Sequence, residues 1–181
     1  SFSMDIVKLQ IQKKRKKLIF LFSKVYSGGL RGIDGYVVQV EADVSDGLPG
    51  FYMVGSLASE VREAEERVRT AMRNAGFHLS ARKITVNLSP ANVRKEGTAC
   101  DLPVAIAVLA AYGIVMPSGL KQTGFLGELG LDGKIKPVRG VLSMVLAMAE
   151  KGLERCFLPE ENVAEGMAAD CMEIVKIRNL Q

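Results

Sequence analysis

One histidine and three cysteines are all the imidazole and thiol ligands that this chain of 181 residues offers a metal. Cys100, Cys156 and Cys171 are odd in number and lack Cys-x-x-Cys spacing, and His78 stands alone, so neither a disulfide framework nor a zinc site is indicated. Reduced thiols that pack mostly as small hydrophobes in a cytoplasmic protein are expected. Nucleotide signatures are missing too. No Gly-x-Gly-x-x-Gly occurs, and Gly133-Lys134 fails as a phosphate loop because Glu128 stands where its first glycine belongs and Ile135 where its hydroxyl belongs. Long hydrophobic runs are equally scarce. Leu102 to Ala111 gives ten almost unbroken apolar residues where a bilayer needs about 20, and Leu18–Phe22 is too short for the apolar stretch of a signal peptide. No repeat or low-complexity linker divides the chain, and 48% hydrophobic with 24% charged residues is the composition of a single soluble globular domain.

Charge of one sign is concentrated rather than abundant. The net +4 is carried by Lys13, Lys14, Arg15, Lys16 and Lys17; without them, 19 basic residues face 20 acidic ones. This run is a candidate for phosphate contacts with nucleic acid, against the plainer reading of a solvated tail. Ser1-Phe2-Ser3 ahead of Met4 reads as a cloning scar. Residues 1–22 are therefore assigned to the scar, the basic segment and the start of a first strand, and residues 23–181 to one domain.

The chain is organised around Asn87–Tyr112. Ile84-Thr85-Val86 is a β-branched run that feeds a polar loop, and the loop delivers the chain into the apolar stretch that starts at Leu102. Asp101 as an acidic cap, Pro103 in a first turn without N–H partners and recurrent alanine predict a helix that is apolar on every face, hence buried. A loop carrying Lys95, Glu96, Thr98 and Cys100 into a helix start is suited to chemistry, because free N–H groups can hold an oxyanion and a hydroxyl or thiol can be activated there. A capped loop with solvated charges is the alternative.

Elsewhere, Leu18–Tyr26 and Tyr36–Val44 read as strands that pair across a glycine-rich connection. Val38, Val40, Ala42 and Val44 alternate with polar residues. Phe51–Val54 is a short strand and Ser59–Ala75 an amphipathic helix stopped by Gly76, with Glu63/Arg67 and Glu65/Arg69 at i,i+4 on an arginine-dense face that could touch phosphates but, with its acidic partners, reads first as solvated. Arg82–Leu88 is a strand. Asp132-Gly133 predicts a hairpin. Val141, Leu142, Val145, Leu146 and Ala149 mark another helix, followed by a strand at Arg155–Leu158, a helical turn from Pro159 and a last strand at Glu173–Ile177. The fold class is α/β (α+β), with helices packed on a mixed sheet.

Several short blocks together resemble a known family. Lys24-Val25-Tyr26-Ser27, Gly32-Ile33-Asp34-Gly35, Gly47-Leu48-Pro49-Gly50-Phe51, Val54-Gly55, Arg82 to Leu88 and Arg94-Lys95-Glu96-Gly97 with Asp101-Leu102-Pro103 are similar to the N-terminal domain of the magnesium-chelatase-like ComM/YifB family. Gly127-Glu128-Leu129, Gly133-Lys134-Ile135, Pro137-Val138-Arg139-Gly140 and Leu158-Pro159-Glu160-Glu161-Asn162 resemble the proteolytic domain of Lon. The resemblance implies a ribosomal protein S5 domain 2-like fold placed ahead of an AAA+ ATPase module that this stretch does not contain. ATP and Mg2+ would belong to that module and no cofactor to this chain. The implied partners are the AAA+ module, other subunits of a homo-oligomeric ring and, as a further candidate, DNA, with no membrane.

Lon-like proteases use a serine nucleophile and a lysine base. Their motif Lys-Asp-Gly-Pro-Ser-Ala-Gly lies over Lys95 to Asp101 so that the nucleophile falls on Ala99, and Gly-Gly-Leu-Lys lies over Arg139 to Leu142 so that the base falls on Leu142. A methyl group attacks no carbonyl and an isobutyl group takes no proton. Relatives commonly carry a Ser-Ser pair where this chain has Thr98-Ala99. The implied function is a non-catalytic accessory domain of a ComM-like ATPase that remodels DNA by branch migration. Its alternatives are a Lon-like peptidase rescued by Thr98, Cys100 or Ser143, and a nucleic-acid-binding module acting through Lys13 to Lys17. A tetrapyrrole role rests on the family's name alone.

Overall fold

The computed structural model describes residues 21–181, in which seven strands share one twisted sheet. β1 (Phe22–Arg31) and β2 (Asp34–Ser45) make a long antiparallel hairpin, in register from Phe22 opposite Asp43 to Arg31 opposite Asp34. β3 (Gly50–Val54) lies parallel to β4 (Lys83–Ser89), which is antiparallel to β2. On the far side of β1, β5 (Thr123–Phe125), β8 (Arg155–Pro159) and β9 (Glu173–Ile177) all run parallel. The order β3-β4-β2-β1-β5-β8-β9 leaves the hairpin in the middle. β6 (Glu128–Leu129) and β7 (Ile135–Lys136) form a separate hairpin around the Asp132-Gly133 turn.

Alternation along β1 and β2 sends side chains to two cores. Val25, Val38, Val40, Ala42 and Val44 share one core with α2 (Ala64–Asn74) and α3 (Asp101–Ala111), whereas Tyr26, Leu30 and Val37 pack against the cluster formed with α4 (Val141–Glu150). The first core holds α3, all eleven of whose side chains are buried. Each fully buried Val, Leu or Ile contributes roughly 1.5–3 kcal/mol, which dwarfs the intrinsic helix preference of the segment.

The mixed sheet with packed helices is the architecture expected, and three local readings need correction. Gly28-Gly29 sits inside β1 rather than in the hairpin connection, because a Cβ on Gly28 would lie 2.6 Å from the Met144 Cβ and only glycine lets α4 approach. The predicted helix over 59–75 is broken at Glu63 into α1 (Ser59–Arg62) and α2, and the Arg67 guanidinium takes the Glu60 carbonyl that a continuous helix would offer to Ala64. α4 buries Val141, Met144, Val145 and Met148, which leaves Leu142 and Leu146 exposed. No strand is read from the sequence at β5, whose three residues are too few for a periodicity.

At one end of the sheet, Glu160 precedes α5 (Val163–Met167) and accepts from Arg178 at 2.5 and 2.6 Å and from Lys176 at 3.1 Å. These bonds, Arg178 first, hold its carboxyl down at about 2. A depressed carboxyl contributes stability that is present above its unfolded value and is lost as pH falls towards 2. Carboxyl-detected NMR will find a Glu160 midpoint near 2 in the native chain and one moved back up in Arg178→Gln; a midpoint in the ordinary glutamate range in both would contradict the pairing.

Candidate functional site

The polar loop between β4 and α3 is fixed from inside by a lysine. Lys95 is only 1% exposed, and its ammonium donates to the carbonyls of Pro90 and, at 2.7 Å, Val93. Its backbone bonds Ser56 and Ala58 at 2.8 and 3.0 Å, which ties the loop to the segment ahead of α1. Burial pushes the ammonium below its ordinary value, while the facing Cys100 opposes the shift. Lys95 belongs to the loop read as suited to chemistry, with solvated charges as the alternative; its buried donors instead close the loop upon itself. Gly97, at φ 75°, then gives its N–H to the Glu60 carboxylate at 3.2 Å.

The expected acidic cap of α3 is a different device. Cys100 occupies the cap position without a side-chain capping bond, and Asp101 turns inward, 1% exposed. It receives a two-pronged bond from Arg67, at 2.7 and 3.0 Å, and the Leu129 N–H at 3.1 Å. α2, α3 and β6 thus meet on one carboxylate. Burial pushes Asp101 up against the pull of Arg67, and the same bond raises Arg67. The Glu63–Arg67 pair of the sequence pattern persists at 3.8 Å as the outer, weaker contact.

Between this loop, the end of β1 and the approach to α4 lies a cleft of about 520 Å³. Leu30, Thr98, Ala99, Glu128, Val138 and Arg139 are among its walls, and Ala99 packs against the α4 core. The cleft therefore brings together the Lys95–Asp101 block and the Pro137–Arg139 block. Ala99 lines it. Leu142 does not: it is 37% exposed, its N–H bonds the Glu165 carboxylate at 3.1 Å, and Met144 is the α4 residue that reaches the cleft.

Two of the three neighbouring nucleophiles, Thr98 and Cys100, are committed elsewhere. Thr98 donates its hydroxyl to Glu128 at 2.6 Å, and Glu128 stands 3.9 Å from Lys136. The Cys100 thiol is buried, faces the Ser27 hydroxyl at 3.8 Å, and is pushed by burial up to about 11. A thiolate, the reactive form, is suppressed there. Ser143 is half-buried on α4, with its carbonyl packed on Gly35. Glu128 and Arg139 lie in blocks that the Lon resemblance picks out without giving either residue a role, and the inward turn of Lys95 has no signal in a run of charged neighbours. Lys13, Lys14, Arg15, Lys16 and Lys17 lie outside the described residues. Among the described residues, no group of three or more His, Cys, Asp and Glu could hold a metal ion, and no helix is long and apolar enough to cross a membrane.

Comparison with known proteins gives these observations a family context. Residues 40–162 match the family model described as subunit ChlI of Mg-chelatase. The competence protein ComM of Haemophilus influenzae is 43% identical over 141 residues, which is 78% of this chain and 28% of that protein. YifB of Escherichia coli is 40% identical over 130 residues, 72% of this chain and 26% of that protein. Lon protease of Mycolicibacterium smegmatis is more distant, at 27% over 158 residues, covering 81% of this chain and 20% of the protease; it supports a Lon-like fold. The chain spans less than a third of the length of the curated relatives it matches.

Proposed function

The chain belongs to the magnesium-chelatase-like ComM/YifB family of AAA+ ATPases, and from this premise we propose that it is the accessory, non-catalytic Lon-like domain of a cytoplasmic motor that remodels DNA. In this reading the ATP-hydrolysing module, with its Mg2+, is a separate part of the same protein. The domain contacts that module, and copies of the protein assemble as a ring. DNA is the substrate of the assembly.

The observation that carries the non-catalytic part is the alanine at position 99 in the wall of the cleft, flanked by a threonine hydroxyl committed to Glu128 and a thiol held protonated by burial. No activated nucleophile results from that combination. Lys95 supplies no base, because its ammonium is enclosed by two carbonyls. The DNA part rests on the family likeness to ComM.

Two assays test it. The 181-residue chain will release no fluorophore from casein or fluorogenic peptides, and Thr98→Ala and Cys100→Ala will leave that baseline unchanged; turnover abolished by either substitution would establish a peptidase instead. The full-length protein will hydrolyse ATP faster when branched or single-stranded DNA is added. ATP turnover indifferent to every DNA structure offered would remove DNA from the reading.

A further inference from the structure

A second basin lies on the opposite flank of α2, away from the loop and its cleft. It measures about 410 Å³ and is walled by the end of α2, the 76–82 connection and the start of β3. Every ionisable side chain of its lining other than Tyr112 is a base: Arg69 and Arg73, one helical turn apart on α2, Arg82 at the entry to β4, and His78 between them. Outside residues 13–17 the chain carries 19 basic and 20 acidic residues, so this gathering is not a reflection of overall composition.

The charges are only loosely satisfied. Glu65 approaches Arg69 to 3.6 Å and Asp46 approaches Arg82 to 3.0 Å, both from outside the lining, and the Asp46 side chain is 94% exposed. Arg73 has no ion pair among the described residues. Two like charges at i,i+4 repel unless an anion lies between them, and exposed ion pairs exchange readily for a better acceptor. Beside the cations, Phe77 and Leu79 are half-buried and offer an apolar wall. That wall is built rather than loose: the Tyr112 hydroxyl, reaching out of α3's C-terminal end, donates to the Ser80 carbonyl at 2.8 Å and holds the connection.

We propose that this basin binds a phosphate ester carrying a flat apolar group, with the phosphoryl oxygens on Arg69, Arg73 and Arg82 and the flat group against Phe77 and Leu79. Guanidinium forks match phosphate oxygens in pairs, and a base stacks on an aromatic face whatever its identity. A nucleotide has this chemistry, whether free or within a single strand. The inference does not depend on the motor reading, since it requires only the ligand's own groups.

The test uses the 181-residue chain with Lys13→Ser, Lys14→Ser, Arg15→Ser, Lys16→Ser and Lys17→Ser, so that the basic run contributes nothing. A fluorescein-labelled oligo(dT) 12-mer will bind, with a log–log salt slope of about −2 for three contacts on a single strand. Arg73→Gln with Arg82→Gln will weaken binding at least tenfold, while Arg155→Gln, on β8, will leave it unchanged; matched thermal unfolding of the variants confirms that each folds. Displacement of the strand by AMP at similar phosphate concentration identifies a free nucleotide as the ligand, and resistance to AMP identifies the strand. No binding of either, equal loss in Arg155→Gln, or displacement by polyglutamate as effective as by oligo(dT) overturns the proposal, the last in favour of an acidic peptide.

Discussion

Arg67→Met will destabilise the native state by about 3–5 kcal/mol in denaturant titration, the range for removing one member of a buried ion pair. The side chain left behind decides the size of the effect. Asp101 is 1% exposed and Arg67 20%, so the methionine variant strands a carboxylate in the core, whereas Asp101→Leu strands a guanidinium that still reaches water and Glu63. Arg67→Met is therefore the costlier of the two single changes. The double variant Arg67→Met/Asp101→Leu recovers most of the loss, because two apolar side chains leave no charge to desolvate. The pH dependence follows with a definite sign. Without Arg67 the carboxyl of Asp101 rises further above its unfolded value, so the folded state binds the proton more tightly and stability falls as pH rises through that window. The deficit of Arg67→Met is then largest at neutral pH and shrinks towards pH 4. A deficit that is constant from pH 4 to 8, or smaller than that of Asp101→Leu, would show that the pair does not hold α2 to α3.

Gly35→Ala will cost about 3 kcal/mol, at the upper end of what an added methyl does in a packed interior. A Cβ at this position would lie 2.1 Å from the Ser143 carbonyl oxygen and 2.4 Å from its carbon, so the start of α4 must move as a body. No flexible side chain can yield in its place. Gly32→Ala is the control. Gly32 has φ 63° and open space around it, so its cost is backbone strain alone, roughly 1–2 kcal/mol. Urea unfolding that ranks the two equally, or Gly32 above Gly35, would mean that α4 is not seated on β2 as described. Because Met144 of the displaced helix lines the cleft, Gly35→Ala also alters the cleft, a consequence that Gly32→Ala does not share.

What the sequence made legible was periodic. Val38 to Val44 announced a strand with one buried face, ten apolar residues announced an interior helix, and Asp-Gly announced a hairpin, because each pattern is set by local geometry. Side-chain direction at single positions was not legible. Asp101 at a helix start reads as a cap, and only the neighbouring Arg67 and the Leu129 N–H, 34 and 28 residues away, turn it into a tether. Lys95 sits between Arg94 and Glu96, both exposed, and nothing in that triplet tells which of the three goes inside. Leu142 and Leu146 carried the apolar label of a core stripe, yet the buried face of α4 passes through Met144 and Met148 instead. The site suffered the same limit. The blocks that meet in the cleft are separate in the sequence, and their meeting depends on contacts far apart along the chain.

The enclosure of α3 also bears on how the protein is made. A helix with no polar face is a hazard while the chain is still emerging from the ribosome, since exposed apolar surface on a partly synthesised chain invites aggregation. The order of elements answers that hazard. β1, β2 and α2, which supply most of the packing around α3, are all translated before it. By the time residue 111 appears, the hairpin and the helix that will cover it are already available, and the segment can leave water as it arrives instead of waiting for the later strands.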